Sequence, residues 1–169
     1  MLKIRSGIGY DLHRIEAGSG LYIGGIRVSD TLRFVAHSDG DLLIHALIDS
    51  LLGAIGEKDI GEHFPDTDEQ YKNIKSTILL ERIAALLKEK NVEIMNIDSV
   101  IIAERPKISP FKDKIRDNIA AILGIPREDF NVKAKTKEGG PNSTNSDSDC
   151  VGRGEAMECY CVAMVRCKR

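Results

Sequence analysis

The chain has 169 residues, 42% hydrophobic and 30% charged, with a formal net charge of -2. That length suits one compact domain with a sizeable core and is short for two. A mixed, slightly acidic charge lacks the basic stripe a nucleic-acid binder sets against phosphates, and no apolar run approaches the roughly 18 residues of a membrane span.

In chain order, Ile4 to Asp11 alternates and predicts a strand. Leu21 to Val28 carries Gly24-Gly25 between short β-like runs and predicts a hairpin. Ser38 or Asp39 is placed to cap a helix that starts near Asp41, runs to about Ile55 and stops at Gly56. A second helix opens at Ser76, with Leu79, Ile83, Leu86 and Leu87 on one face. Ile97 to Ala103 predicts a buried strand. Ser109-Pro110 reads as an N-cap and first-turn proline, leading to a helix with Ile115, Ile119 and Ile122 inward and Gly124 as its stop. Phe130 to Thr136 and Met157 to Arg166 predict the last strands. Between them, Gly139 to Asp149 (GGPNSTNSDSD) is small and polar and predicts a flexible loop insertion.

This order predicts an α+β fold, an α/β sandwich with one mostly four-stranded mixed sheet and helices on one face, in a single domain spanning 1–169. Val100, Ile102, Val132, Val162 and Met164 make the strands apolar enough for both faces to be covered, yet only about three helices are available. Oligomerisation through the sheet would cover the second face. Cys150, Cys159, Cys161 and Cys167 lack the paired C-x-x-C spacing of a zinc knuckle. The N-terminus opens on an alternating pattern, unlike a signal peptide, so reduced thiols in a cytosol-like compartment are expected.

The chemistry-bearing residues concentrate early. In an extended strand Asp11 and His13 project to one face, and AHSDGD (Ala36 to Asp41) runs into the helix bearing His45. Two His and one carboxylate form a ligand set that zinc uses in catalytic sites, with a fourth position for water or substrate. Asp41 and Asp49 lie four residues either side of His45 and are expected to orient its ring. A polar segment, KDIGEHFPDTD (Lys58 to Asp68), follows. It reads either as a surface loop or as an element that meets substrate hydroxyls through Asp59 and Asp66 or covers the metal. ERPK (Glu104 to Lys107) ends a strand where ligand loops often sit. VKAKTKE (Val132 to Glu138) ends another, with lysines suited to phosphate or, equally, to an exposed edge, and Glu138 available to an oxygen-preferring cation.

Together GYDLH, IGG, AHSDGD with His45, KDIGEHFPDTD, ERPK, VKAKTKE and GRGE (Gly152 to Glu155) resemble the 2-C-methyl-D-erythritol 2,4-cyclodiphosphate synthase family over nearly the whole chain. The resemblance implies a homotrimer with its sheets around the threefold axis and active sites at subunit interfaces. It also implies closure of 4-diphosphocytidyl-2-C-methyl-D-erythritol 2-phosphate to the cyclic diphosphate with release of CMP, in the non-mevalonate isoprenoid pathway. By position, Asp11, His13 and His45 match zinc ligands, and Glu138 matches the ligand of magnesium or manganese. His37, Ser38, Asp59 and Asp66 match residues around the erythritol and its phosphate. Ala103, Lys107 and Ile108 match the cytidine pocket. Lys135 and Thr136 match the segment that positions the nucleotide phosphates, contributed by a neighbouring subunit, and Arg153 joins the substrate-binding set.

Three departures stand out. Lys135 replaces a common hydroxyl residue, the 139–149 insertion replaces a short turn, and Tyr160 stands where some members place a Glu on the axial strand, which bears on isoprenoid diphosphate binding there. The competing readings are a zinc-dependent phosphohydrolase and a non-catalytic nucleotide-binding trimer. A bacterial source would place the protein in the cytoplasm, and a plastid-bearing eukaryote in the plastid stroma.

Overall fold

The first strand, β1 (Leu2–Ala17), alternates along its length: Gly9 and Ile15 turn inward and Ile4, Ile8, Tyr10 and Leu12 turn outward. A computed structural model describes residues 2–138 and 149–168. Of the expected loop insertion Gly139 to Asp149, only Asp149 is among the described residues.

After β1 come β2 (Leu21–Ile23), β3 (Ile26–Ser29) and β4 (Leu32–Phe34), then helix α1 (Leu42–Ile55) and the short α2 (Ile60–His63). Helix α3 (Ser76–Glu89), strand β5 (Val92–Ile102), helix α4 (Lys112–Leu123) and strands β6 (Phe130–Lys135) and β7 (Ala156–Lys168) complete the order. Five strands form one sheet in the order β4-β1-β7-β5-β6, and β2 and β3 form a separate hairpin. The β5–β6 pair is parallel, bridged by α4, and the other pairs are antiparallel. The sheet therefore has one strand more than expected. Leu32–Phe34 is three residues long, too short to show an alternating pattern.

Helix α1 packs across β1 and β7, and its buried face (Leu43, Leu47, Leu51 and neighbours) is the centre of the hydrophobic core. Its N-cap is Asp41, not Ser38 or Asp39. Asp41 is fully buried, and its carboxylate accepts from Ile44 N (3.2 Å), Gly24 N (2.9 Å) and Gly25 N (2.7 Å). One side chain thus caps the helix and pins the β2–β3 turn, whose glycines both hold positive φ. Burial pushes the Asp41 carboxyl up to about 6, against the lowering effect of its backbone donors at Gly25, Gly24 and Ile44. Gly56 and Gly124 end α1 and α4 in the left-handed conformation, as the sequence predicts. Ser109–Phe111 is a single 3-10 turn leading into α4, not a capped first turn.

The helices cover one face of the sheet. Val132 faces the helices and is buried. On the opposite face Ile8 is 69% exposed and Ile4 62%, beside Tyr10, Tyr160, Val162 and Met164. No helix among the described residues is long and apolar enough to cross a membrane.

All four cysteines are free thiols. Cys159 and Cys161 point together into the core and Tyr160 points out, as their spacing predicts. Burial pushes the Cys161 thiol up to about 12 and raises Cys159 well above its ordinary value. A thiol reagent at pH 8 is therefore expected to modify Cys150 and Cys167 rapidly and the other two only after denaturation. Fast reaction of all four in the folded protein would contradict this packing.

Candidate metal centre and nucleotide cleft

The register of β1 against β7 sets Asp11 opposite Cys159 and His13 opposite Met157, all on the helix-covered face. Helix α1 delivers His45 to the same place. Asp11 Oδ2 lies 3.0 Å from His13 Nε2 and 3.0 Å from His45 Nδ1, and the two nitrogens are 3.1 Å apart. Burial alone would raise the Asp11 carboxyl, but hydrogen bonds from His13 and His45 hold it well below the usual carboxylate range.

This triangle fits a metal ion. Ligands at ~2.0–2.1 Å in a tetrahedron around zinc stand about 3.3 Å from one another. Edges of 3.0–3.1 Å, one atom from each of three partly buried side chains, match that face and leave its fourth corner open. The donor set, two imidazoles and a carboxylate, is one that zinc takes in catalytic sites.

The partners of His45 differ from those expected. Asp41 is committed to backbone N–H groups, and Asp49 accepts from Ile60 N at 2.8 Å, so neither touches the ring. His45 Nε2 instead meets Ser76 Oγ at 3.0 Å and Ser38 Oγ at 3.3 Å. Ser76 in turn donates from Oγ (2.5 Å) and N (3.0 Å) to Asp39. With Nδ1 turned to the metal position, Nε2–H donates along a Ser76–Asp39 chain that fixes the ring. Asp39 thereby caps α3 from a distant loop. Spacing favoured Asp41 and Asp49 because it registers only neighbours on one helix. Ser76 lies 31 residues from His45 and showed in the sequence only as a helix start. Ser76→Ala is expected to weaken metal binding by about tenfold, read as a shift in chelator competition, with the fold intact. Unchanged competition would remove the chain from the site.

A cleft of about 230 Å³ opens beside the triangle, lined by His13, His37, Ser38, His45, Asp66 and the apolar Ile60, Phe64, Tyr71 and Ile74. The 60–74 segment is held over it by Asn73 N donating to His37 O, Asp39 N donating to Ile74 O and an edge contact between Phe64 and Tyr71. Asp59, expected to meet substrate, caps α2 through Glu62 N at 3.0 Å and does not line this cleft.

A second cleft, about 580 Å³, lies at the ends of β5 and β6. Ala103, Lys107, Ile108, Lys135, Thr136 and Glu138 all line it, so six residues named from the sequence meet there. Glu138, at positive φ, presents a solvent-exposed carboxylate beside Lys135 and Thr136. A single hard oxygen donor suits a cation that takes its other ligands from phosphates and water. Arg153 pairs with Glu155 at 2.8 Å and lines neither cleft. The two clefts share no lining residue.

The sequence pattern of the YgbB family matches residues 4–166. This chain belongs to the YgbB family. Among its relatives, the 2-C-methyl-D-erythritol 2,4-cyclodiphosphate synthase of Fusobacterium nucleatum subsp. nucleatum is 45% identical over 166 residues, 98% of this chain and 99% of that protein. The Plasmodium falciparum IspF CDP complex superposes on this YgbB fold with a TM-score of 0.82 at 34% identity, covering 98% of this chain and 97% of that one. The bifunctional IspDF of Campylobacter jejuni gives 0.90 at 35% identity, and there the YgbB chain covers 43% of a longer protein.

Proposed function

We propose that residues 1–169 form a single 2-C-methyl-D-erythritol 2,4-cyclodiphosphate synthase domain. It converts 4-diphosphocytidyl-2-C-methyl-D-erythritol 2-phosphate to the cyclic diphosphate and CMP. The observation that carries this reading is the Asp11, His13, His45 triangle opening into a cleft lined by His37, Ser38 and Asp66. That site fits a phosphorylated polyol, and the second cleft offers the nucleotide set.

The nucleophile is an oxygen of the 2-phosphate, already an anion, so no general base is required. It attacks the β-phosphorus, the bond to the α–β bridging oxygen breaks, and CMP leaves with that oxygen. The chain's work is to align attack and departure and to offset repulsion between phosphates. Lys135 and Thr136 hold the nucleotide phosphates, Lys107 and the Ala103–Ile108 wall hold the cytidine, and Ser38, His37 and Asp66 orient the erythritol. When bound, zinc at Asp11, His13 and His45 and magnesium or manganese at Glu138 supply Lewis-acid neutralisation of the diphosphate.

Because the two clefts share no residue, the reading includes a homotrimer in which one chain's nucleotide segment meets its neighbour's metal centre. The apolar open face of the sheet supports it: Ile4, Ile8, Val162 and Met164 would pack around the threefold axis. Sedimentation equilibrium is expected to give about 56 kDa, three times the 18.6 kDa chain. A bacterial source, like that of the Fusobacterium relative, would place the chain in the cytoplasm, and a plastid-bearing eukaryote would place it in the plastid stroma.

The test is incubation with the cytidine-diphosphate substrate, zinc and magnesium in ¹⁸O-water. CMP and a cyclic product free of label are expected. Label in the product would establish hydrolysis and overturn the cyclase, and cytidine nucleotide binding without turnover would establish a binding protein.

A further inference from the structure

The segment from Ala134 to Glu138 contributes every residue but one to the nucleotide cleft. The exception is Lys137, which turns the other way, onto the open face of the sheet. There its Nζ lies 2.8 Å from Glu158 Oε1 and 2.9 Å from Asp149 Oδ2. Glu158 is 6% exposed although it sits on the face where Tyr160, Val162 and Met164 are open, because Lys137 and Tyr10 cover it. Tyr10 donates its hydroxyl to the second oxygen, Glu158 Oε2, at 3.2 Å. A carboxylate this well covered needs its partners, since an unpaired charge in such a position is strongly unfavourable.

The same residue's backbone is also fixed. Lys137 N donates to Glu104 Oε1 at 2.8 Å, and two residues earlier Lys135 O accepts from Ala103 N at 2.9 Å. Regular pairing of β6 with β5 ends at Lys135. Beyond that point the chain is held by the Glu104 contact and by the ammonium of Lys137. Thr136 and Glu138 flank that anchor and have no β ladder of their own to place them.

We propose that Lys137 is a positioning residue for the phosphate-binding segment: its ammonium, seated on Glu158 and Asp149, fixes Thr136 and Glu138 at the cleft. This rests on the cyclase reading, in which that segment meets the nucleotide phosphates. The anchor reaches from the cleft through Glu158 on β7 to Tyr10 on β1, so the segment at the end of β6 depends on strands two and three places away in the sheet.

The experiment compares Lys137→Met, Lys137→Arg, Glu158→Gln and the Met/Gln double variant with the wild type, each first checked for an unchanged melting transition. Calorimetry with CDP, NMR titration with cytidine, and KM and kcat for CMP release are the readouts. Lys137→Met is expected to weaken CDP binding and raise KM by about tenfold, as loss of an outer-shell partner does, and to leave cytidine affinity within about twofold. Glu158→Gln should give a similar loss, the double variant no more than either single one, and Lys137→Arg should restore most of the affinity.

Unchanged CDP affinity in Lys137→Met overturns the proposal, as do losses that add in the double variant or an equal loss for cytidine, which would mean general damage to the cleft. If Lys137→Met does not fold, Glu158→Gln alone decides by the same CDP-against-cytidine comparison. A wild type that neither binds CDP nor releases CMP would instead sink the cyclase reading.

Discussion

Alanine at His45 is expected to abolish stable zinc retention and to lower CMP release by about a thousandfold or more, on the order of 4 kcal/mol of transition-state stabilisation. His45 is the member of the triangle with the most partners. Its Nδ1 meets Asp11 and His13, and its Nε2 reaches Ser38 and Ser76, the second of which leads to Asp39. Its removal leaves one imidazole and one carboxylate, too few for a tight zinc site. Metal content by mass spectrometry and CMP by chromatography would measure the two losses together.

The control is His63→Ala. His63 lies 3.7 Å from Glu57 and lines neither cleft, and its loss should change turnover by less than about twofold. Helix α1 buries its apolar face independently of His45, so the His45 variant should retain wild-type helical circular dichroism. A His45→Ala protein that kept one zinc per chain and normal turnover would remove the triangle from the active site.

What the sequence showed of this site follows from the range over which its signals act. The Asp11–His13 pairing was legible because strand alternation is a two-residue rule and both residues share β1. His45 was legible as a helix residue, and the donor set of two imidazoles and a carboxylate joined it to the strand before the family motifs did. The cleft at the ends of β5 and β6 was legible through the family motifs, in that six residues named from the sequence do converge there. The Ser76–Asp39 chain was not, because it joins a loop, two helix starts and a ring through contacts 31 and 37 residues apart. Asp41 misled for a related reason. A carboxylate one turn before a histidine resembles a ring partner, but three backbone N–H groups, two of them on the β2–β3 turn, compete for it and win. The fifth strand escaped because three residues carry no period, and the Lys137 anchor because its partner Glu158 lies 21 positions away on another strand.

Gly9→Ala is expected to cost about 3 kcal/mol of stability and to weaken metal binding at least about a hundredfold, although Gly9 contacts no ligand atom. A Cβ on Gly9 would stand 1.9 Å from Ala46 O and 2.8 Å from Ser50 N, and one on Gly7 would stand 2.1 Å from Ser50 O. These neighbours are helix backbone, so no rotamer change relieves them. Helix α1 must lift by about 1 Å or more to restore ordinary contact, at the overpacking cost typical of cores. For a domain of this size that corresponds to a fall of about 6–12 °C in Tm.

The functional consequence comes from where the metal triangle is built. Asp11 and His13 sit on β1 and His45 sits on α1 next to Ala46, so the triangle spans the very gap that Gly9 keeps closed. A site of this kind tolerates about 0.5 Å of misplacement, less than the shift the added methyl demands. Gly53→Ala is the matched comparison. A Cβ there meets nothing nearer than 3.9 Å, at Gly7 Cα and Ile8 O. Within a helix that exchange should stabilise by about 0.5–1 kcal/mol and leave zinc affinity alone. Opposite signs for two glycine-to-alanine changes at one interface, read by thermal melts and chelator competition, are the expected result. Equal Tm and zinc affinity in Gly9→Ala and wild type would show that the close approach of α1 to β1 does not set the metal centre.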